Sequence, residues 1–134
     1  MSDLYNFASR KILVVDDMKS MRSLIKACLV DMGVEDIAEA ADGKSALSIL
    51  RIKRFDLTIC DWDMPVMDGL ELLQLVRADE RLNAMRFLML TANVHASKVG
   101  MAIAAGVSDY IAKPFKPDTL QTKVTRLLTV KAAA

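Results

Sequence analysis

Five polar side chains sit directly behind short apolar runs in this sequence. Ile12-Leu13-Val14-Val15 leads into Asp16 and Asp17, Leu57-Thr58-Ile59-Cys60 into Asp61, Phe87-Leu88-Met89-Leu90 into Thr91, and Tyr110-Ile111-Ala112 into Lys113. If these runs are strands of one parallel sheet, their carboxyl ends open on a common crevice, where such sheets bind ligands. Three carboxylates gathered there would repel by about 4 kcal/mol per pair at a separation of about 4 Å and an effective dielectric near ~20. Such a cluster either takes up protons or captures a cation. Hard oxygen donors without histidine or cysteine favour Mg²⁺, which keeps several waters and uses one or two carboxylates plus phosphate oxygens. Thr91 adds a hydroxyl, and Lys113 a mobile ammonium that can meet a phosphoryl oxygen. The set suits phosphoryl transfer, in which positioning and charge neutralisation do most of the catalysis. An aspartate can itself be the nucleophile and become an aspartyl-phosphate. Asp61 is the best placed of the three acids, on the run central in chain order between the acid pair and Thr91/Lys113.

The segments between these runs have helical period. Met21, Leu24, Ile25, Cys28, Leu29 and Met32 recur at i, i+3, i+4, i+7, i+8 and i+11, which predicts one buried helix face, with Gly33 as its stop. A weaker strand over Asp36–Ala40 precedes a second helix carrying Ala46, Leu47, Ile49 and Leu50. A turn over Met64–Gly69 leads into a third helix marked by Leu72, Leu73 and Val76. An alanine-rich fourth helix, about Ser97–Ala105, closes at Gly106. The last begins near Pro117-Asp118 and turns Leu120, Val124, Leu127 and Leu128 inward. Strand and helix alternating five times predict an α/β fold, a doubly wound five-stranded parallel sheet with helices on both faces. The strands are uniformly apolar, as burial on both faces requires. The second has the fewest large apolar residues and is expected at an edge.

The chain of 134 residues, 53% hydrophobic, has the length of one domain and can bury a core without disulfides or structural metal. We divide it into an N-terminal extension 1–10, a domain 11–130 and a tail 131–134. Eighteen Lys/Arg against seventeen Asp/Glu leave a net charge of +1, which argues against nucleic-acid binding driven by bulk charge. No apolar stretch approaches the ~18 residues of a membrane span, and Asp3 and Asn6 interrupt any signal-peptide core. Cys28 and Cys60 lie in apolar runs and read as reduced core residues of a cytoplasmic protein.

The residues that end the strands, with Glu39-Ala40-Ala41-Asp42-Gly43, Asp61-Trp62-Asp63-Met64-Pro65-Val66-Met67-Asp68-Gly69, Thr91-Ala92 and Asp109-Tyr110-Ile111-Ala112-Lys113-Pro114-Phe115, resemble the receiver domain of two-component response regulators, specifically the single-domain chemotaxis type. The resemblance runs from about Lys11 to the final helix. It implies the flavodoxin-like strand order 2-1-3-4-5. By resemblance, Asp61 would accept a phosphoryl group from a histidine kinase. Asp16 and Asp17 would hold Mg²⁺ with Asp61 and the backbone carbonyl of Asp63, and Thr91 and Lys113 would bind phosphoryl oxygens. Tyr110 would be an aromatic switch, and the Lys113-Pro114 bond cis. The output surface would be the fourth helix, fifth strand and fifth helix, acting on a downstream protein such as a flagellar switch component, with the protein a monomer and not a turnover enzyme. Asp63 stands where many chemotaxis members carry Asn, and Asn93 stands two residues after Thr91; both are expected beside the path of the hydrolytic water. The extra carboxylate at Asp63 is therefore expected to alter the dephosphorylation rate. Phosphate loss in Asp63→Asn against wild type measures this, and equal lifetimes with equal Mg²⁺ affinity would refute it.

Two other functions fit part of the pattern. A haloacid-dehalogenase-type phosphatase also uses an Asp followed two residues later by another, as in Asp61-Trp62-Asp63, but it needs a later acidic pair and usually a cap. A docking module independent of phosphorylation would have no need of Asp17, Asp61, Thr91 and Lys113. Asp42, Asp68 and Asp118 precede helices and read as N-caps. His95, the only histidine, reads as a loop residue, Trp62 as a partly exposed reporter of the site, and Met18 and Met101 as partner-surface residues.

Overall fold

The computed structural model describes residues 6–92 and 95–129. Strands β1 (Lys11–Val15), β2 (Asp36–Ala40), β3 (Leu57–Asp61), β4 (Arg86–Thr91) and β5 (Asp109–Ala112) alternate with helices α1 (Lys19–Asp31), α2 (Gly43–Ile52), α3 (Gly69–Ala78), α4 (Ala96–Ala104) and α5 (Pro117–Thr129). All four strand pairings are parallel, in the order β2-β1-β3-β4-β5. The expected α/β fold is therefore present, with β2 at an edge.

Side chains alternate across a strand, and here the alternation sorts the core into two layers. Ile12, Val14, Leu57, Ile59, Leu88 and Leu90 pack with residues of α1 and α5. Leu13, Val15, Cys60, Phe87 and Met89 face the other way, onto α2, α3 and Ala102 of α4. Phe7, just before β1, is buried in the α1/α5 layer. Each large apolar side chain removed from water contributes about 1.5–3 kcal/mol, so the sheet is held from both sides.

Helix boundaries follow local chemistry. The Asp42 carboxylate accepts from the Ser45 N–H at 2.7 Å, and that of Asp68 from the Glu71 N–H at 2.9 Å, so both are N-caps as expected. Asp118 is not: α5 already begins at Pro117, a residue suited to a first helical position, which leaves Asp118 in the first turn. Gly33 has φ +95°, a left-handed conformation cheap only for glycine, and ends α1 as expected. On α1, Ile25, Cys28 and Leu29 are buried and Met21 and Met32 pack against the same layer, but Leu24 is 43% exposed. It lies on the flank of the apolar stripe. There α5 meets α1 further along, where Gln121 donates to the Cys28 carbonyl and the Asp31 carboxylate.

The helix with least anchoring is α4, whose only buried residue is Ala102, while Met101 and Ile103 are 48% and 62% exposed. Among the described residues, no helix is long and apolar enough to cross a membrane.

Candidate functional site

Parallel register brings the strand ends together. Val15 is level with Cys60, Asp61 with Leu90, and Thr91 with Ala112. Backbone bonds continue the ladder past the strands: Asp16 N–H donates to Ala40 O, Trp62 N–H to Leu90 O, and Lys113 N–H to Thr91 O. Asp16, Asp61, Thr91 and Lys113 thus stand together at the carboxyl end of the sheet because each immediately follows or closes a strand in register with its neighbour.

Asp16, Asp17 and Asp61 each offer a carboxylate oxygen, and these oxygens lie within 4.8 Å of one another. Asp16 and Asp61 are buried and Asp17 is exposed. The Lys113 Nζ bridges the two buried acids, 2.9 Å from Asp61 Oδ1 and 3.2 Å from Asp16 Oδ2. The second Asp16 oxygen accepts from the Met18 N–H at 2.8 Å, which fixes the carboxylate against the start of α1. Arg22 of α1 donates to the Asp16 carbonyl at 2.6 Å and to Glu39 of β2 at 3.1 Å. That tether was not visible in the sequence, because Arg22 sits within a helix whose rotation only the packing sets.

The electrostatics are those of a site short of positive charge. Burial pushes the Asp61 carboxyl above its ordinary range; the Lys113 hydrogen bond and charge oppose this, and Asp16 and Asp63 add to it. Burial alone would lower the Lys113 ammonium, but its hydrogen bonds and charge attraction to Asp61 and Asp16 hold it above its usual value. One ammonium thus faces three acids in a partly dehydrated pocket. A small divalent cation fits this donor set: all ligand atoms are hard carboxylate oxygens, two of them preset by burial, with Asp17 open to water. Neighbouring Cys60 is no nucleophile, since burial, aided by nearby acids, pushes its thiol well up.

Thr91 is buried at the end of β4. Asp63 is exposed two residues past Asp61. Tyr110 of β5 is level with Met89, and the Lys123 ammonium stands 5.8 Å from its ring centroid, held by Asp109 at 3.0 Å. The Lys113-Pro114 bond is cis. Asn93 lies outside the described residues. His95 occupies the N-cap position of α4.

Trp62 departs from expectation. It is only 3% exposed, and Lys98 of α4 places its ammonium 4.8 Å from the ring centroid. The sequence gives no local signal for that contact, because residues 62 and 98 meet only once α4 packs beside the β3 end. Gly69 is a further residue the site depends on. A Cβ there would come within 2.5 Å of the Asp61 carbonyl oxygen, 2.7 Å of the Met89 sulfur and 2.9 Å of the Trp62 Cα. Its own N–H donates to the Trp62 carbonyl at 2.8 Å.

Comparison with known proteins bears on this geometry. The response regulator receiver domain family matches residues 12–125. Over 117 residues the chain is 44% identical to the chemotaxis protein CheY of Pseudomonas aeruginosa, covering 87% of this chain and 94% of that protein. It is 43% identical to CheY-3 of Vibrio cholerae, covering 87% and 90%. Among solved structures, the chemotaxis response regulator CheY4 of Vibrio cholerae is similar with a TM-score of 0.83 at 36% identity, over 88% of this chain and 98% of that one. A receiver domain of a sensor histidine kinase from Pseudomonas aeruginosa, which has a magnesium ion coordinated in its active site cleft, is similar with a TM-score of 0.82 at 31% identity, over 90% and 98%.

Proposed function

We propose, since the chain belongs to the response regulator receiver-domain family, that it is a phosphorylation-controlled signalling module of the chemotaxis type whose acceptor is Asp61. The observation that carries this is the convergence of three carboxylates within 4.8 Å on a lysine that already touches two of them. An Asp61 carboxylate oxygen attacks the phosphorus of a phosphohistidine on a histidine kinase. The new O–P bond forms as the P–N bond breaks, and its electron pair leaves with the imidazole. Asp16, Asp17, Asp61 and the Asp63 backbone carbonyl are the residues that would hold Mg²⁺, which when bound supplies positive charge against the phosphoryl oxygens.

The chain's own groups do the rest. The oxygen that becomes esterified carries no full charge, so the Lys113 ammonium turns from it to a phosphoryl oxygen. The Thr91 hydroxyl donates to another, and Tyr110 follows the shift of the β4 end. The adduct carries nearly two negative charges where one stood. That change biases a two-state equilibrium only through contacts that differ between the states. The lightly anchored α4 is the element suited to respond. Output then passes through the α4-β5-α5 face, where Met101 and Ile103 are exposed, to a downstream protein such as a flagellar switch component. In this reading residues 11–130 form a receiver unit acting as a cytoplasmic monomer, with no catalysis beyond its own phosphorylation and dephosphorylation.

Incubation with acetyl phosphate and Mg²⁺ followed by intact-mass measurement tests the assignment. The expected result is one added phosphoryl group per chain, absent from Asp61→Asn. Labelling that persists in Asp61→Asn, or repeated turnover of a phosphomonoester, would overturn it.

A further inference from the structure

A groove of about 570 Å³ lies where α2 and α3 end, between the segments Leu50–Arg54 and Asp79–Ala84. These segments lead into the first residues of β3 and β4, so the groove occupies the pole of the molecule opposite the acidic pocket. Its volume is in the range of built ligand sites. Four cations line it, Arg51, Lys53, Arg54 and Arg81, against the acids Asp79 and Glu80. Lys53 is committed to Asp36 at 2.8 Å. Among the described residues, no ion pair or side-chain hydrogen bond engages the guanidinium of Arg51, Arg54 or Arg81.

Local structure accounts for only part of this. Arg51 stands in the last turn of α2, where a cation complements the helix dipole. Arg54 and Arg81 lie beyond the helix ends and have no such role. Apolar side chains line the groove beside them: Leu82 is buried and Ile52 is 88% exposed, the most exposed large hydrophobic residue among those described. Arginine is suited to carboxylates through its fixed fork of donors. An exposed isoleucine among unpaired guanidiniums asks for an occupant that is both anionic and apolar.

From charge complementarity and this apolar wall, we propose that the groove docks an acidic polypeptide segment of a partner protein, its carboxylates on Arg54 and Arg81 and an apolar side chain against Ile52. This surface is separate from the α4-β5-α5 face and does not depend on phosphorylation of Asp61.

The test is fluorescence anisotropy of a short fluorescein-labelled peptide of aspartate and glutamate with a central leucine, at physiological ionic strength. Saturable binding is expected, weakened about tenfold by Arg54→Gln with Arg81→Gln and about fivefold by Ile52→Ser. It should be unchanged in Asp61→Asn, so failure of the phosphoryl assignment would leave this result standing. All three substituted side chains are exposed, and circular dichroism verifies that the variants keep the fold. Absence of saturable binding, or equal binding by the substituted proteins, would overturn the proposal. Equal affinity for a leucine-free peptide, or displacement by inorganic tripolyphosphate at the peptide's own concentration, would overturn it too and assign the groove to phosphate instead.

Discussion

Lys113→Met is expected to lower the stability of the metal-free protein by about 2–3 kcal/mol and to enlarge the stabilisation that Mg²⁺ confers. Methionine keeps the apolar stem but removes the ammonium that lies 2.9 and 3.2 Å from the carboxylates of Asp61 and Asp16. Removing one partner of a buried ion pair costs about 3–5 kcal/mol, since a charge is left uncompensated. Lys113 retains 17% side-chain exposure, and solvent screening moves the expectation just below that range. A divalent cation held by these acids would compete with the ammonium for the same oxygens, so loss of the ammonium would tighten metal binding, and tighter binding raises stability by mass action. Urea unfolding with and without Mg²⁺ measures both effects. Unchanged metal-free stability, or a smaller response to Mg²⁺ than in wild type, would refute the view that lysine and metal share the site.

Gly69→Ala is expected to destabilise the protein by about 2 kcal/mol and to slow labelling of Asp61. Helix propensity alone predicts the opposite sign, since alanine in a helix is better than glycine by about 1 kcal/mol. Sterics decide, because two of the atoms the new methyl would strike, the Asp61 carbonyl oxygen and the Trp62 Cα, are backbone and cannot swing aside. Overpacking of this kind costs about 1–3 kcal/mol, and it pushes on the backbone of Asp61, the proposed acceptor. Gly100 in α4 is the contrast: a Cβ there meets nothing within 4 Å, so Gly100→Ala should stabilise by up to about 1 kcal/mol. Thermal unfolding of both variants distinguishes the two cases. Equal shifts would show that the close approach at Gly69 does not constrain the site.

What was legible in the sequence follows from what is local. The inner strands β1, β3 and β4 announce themselves as largely apolar runs because both faces of the sheet are covered there, whereas the edge strand β2 carries Asp36 and Glu39 and gives a weaker signal. The pocket residues are legible because a parallel sheet sends every strand end the same way. Which of Asp16 and Asp17 is buried was not legible, since adjacent residues differ only in the side of the chain they face. Trp62 was expected to be partly exposed because it follows a strand end, yet α4 closes over it and Lys98 covers its ring. Leu24 and Asp118 failed for a similar reason. A periodic pattern does not say how far along a helix its neighbour reaches, and a proline that can open a helix moves the start by a residue. The tether from Arg22 and the crowding at Gly69 exist only between elements already packed, and nothing at the level of spacing marks them.

The bridge from Lys113 to Asp16 joins residues 97 positions apart. During synthesis the amino-terminal acids emerge long before their counter-charge, and β5 is the last strand to be made. Contacts this distant form late, because the intervening chain must be ordered first. Neutralisation of the acidic cluster is thereby tied to completion of folding: a nascent or truncated chain has the aspartates without the amine that bridges two of them.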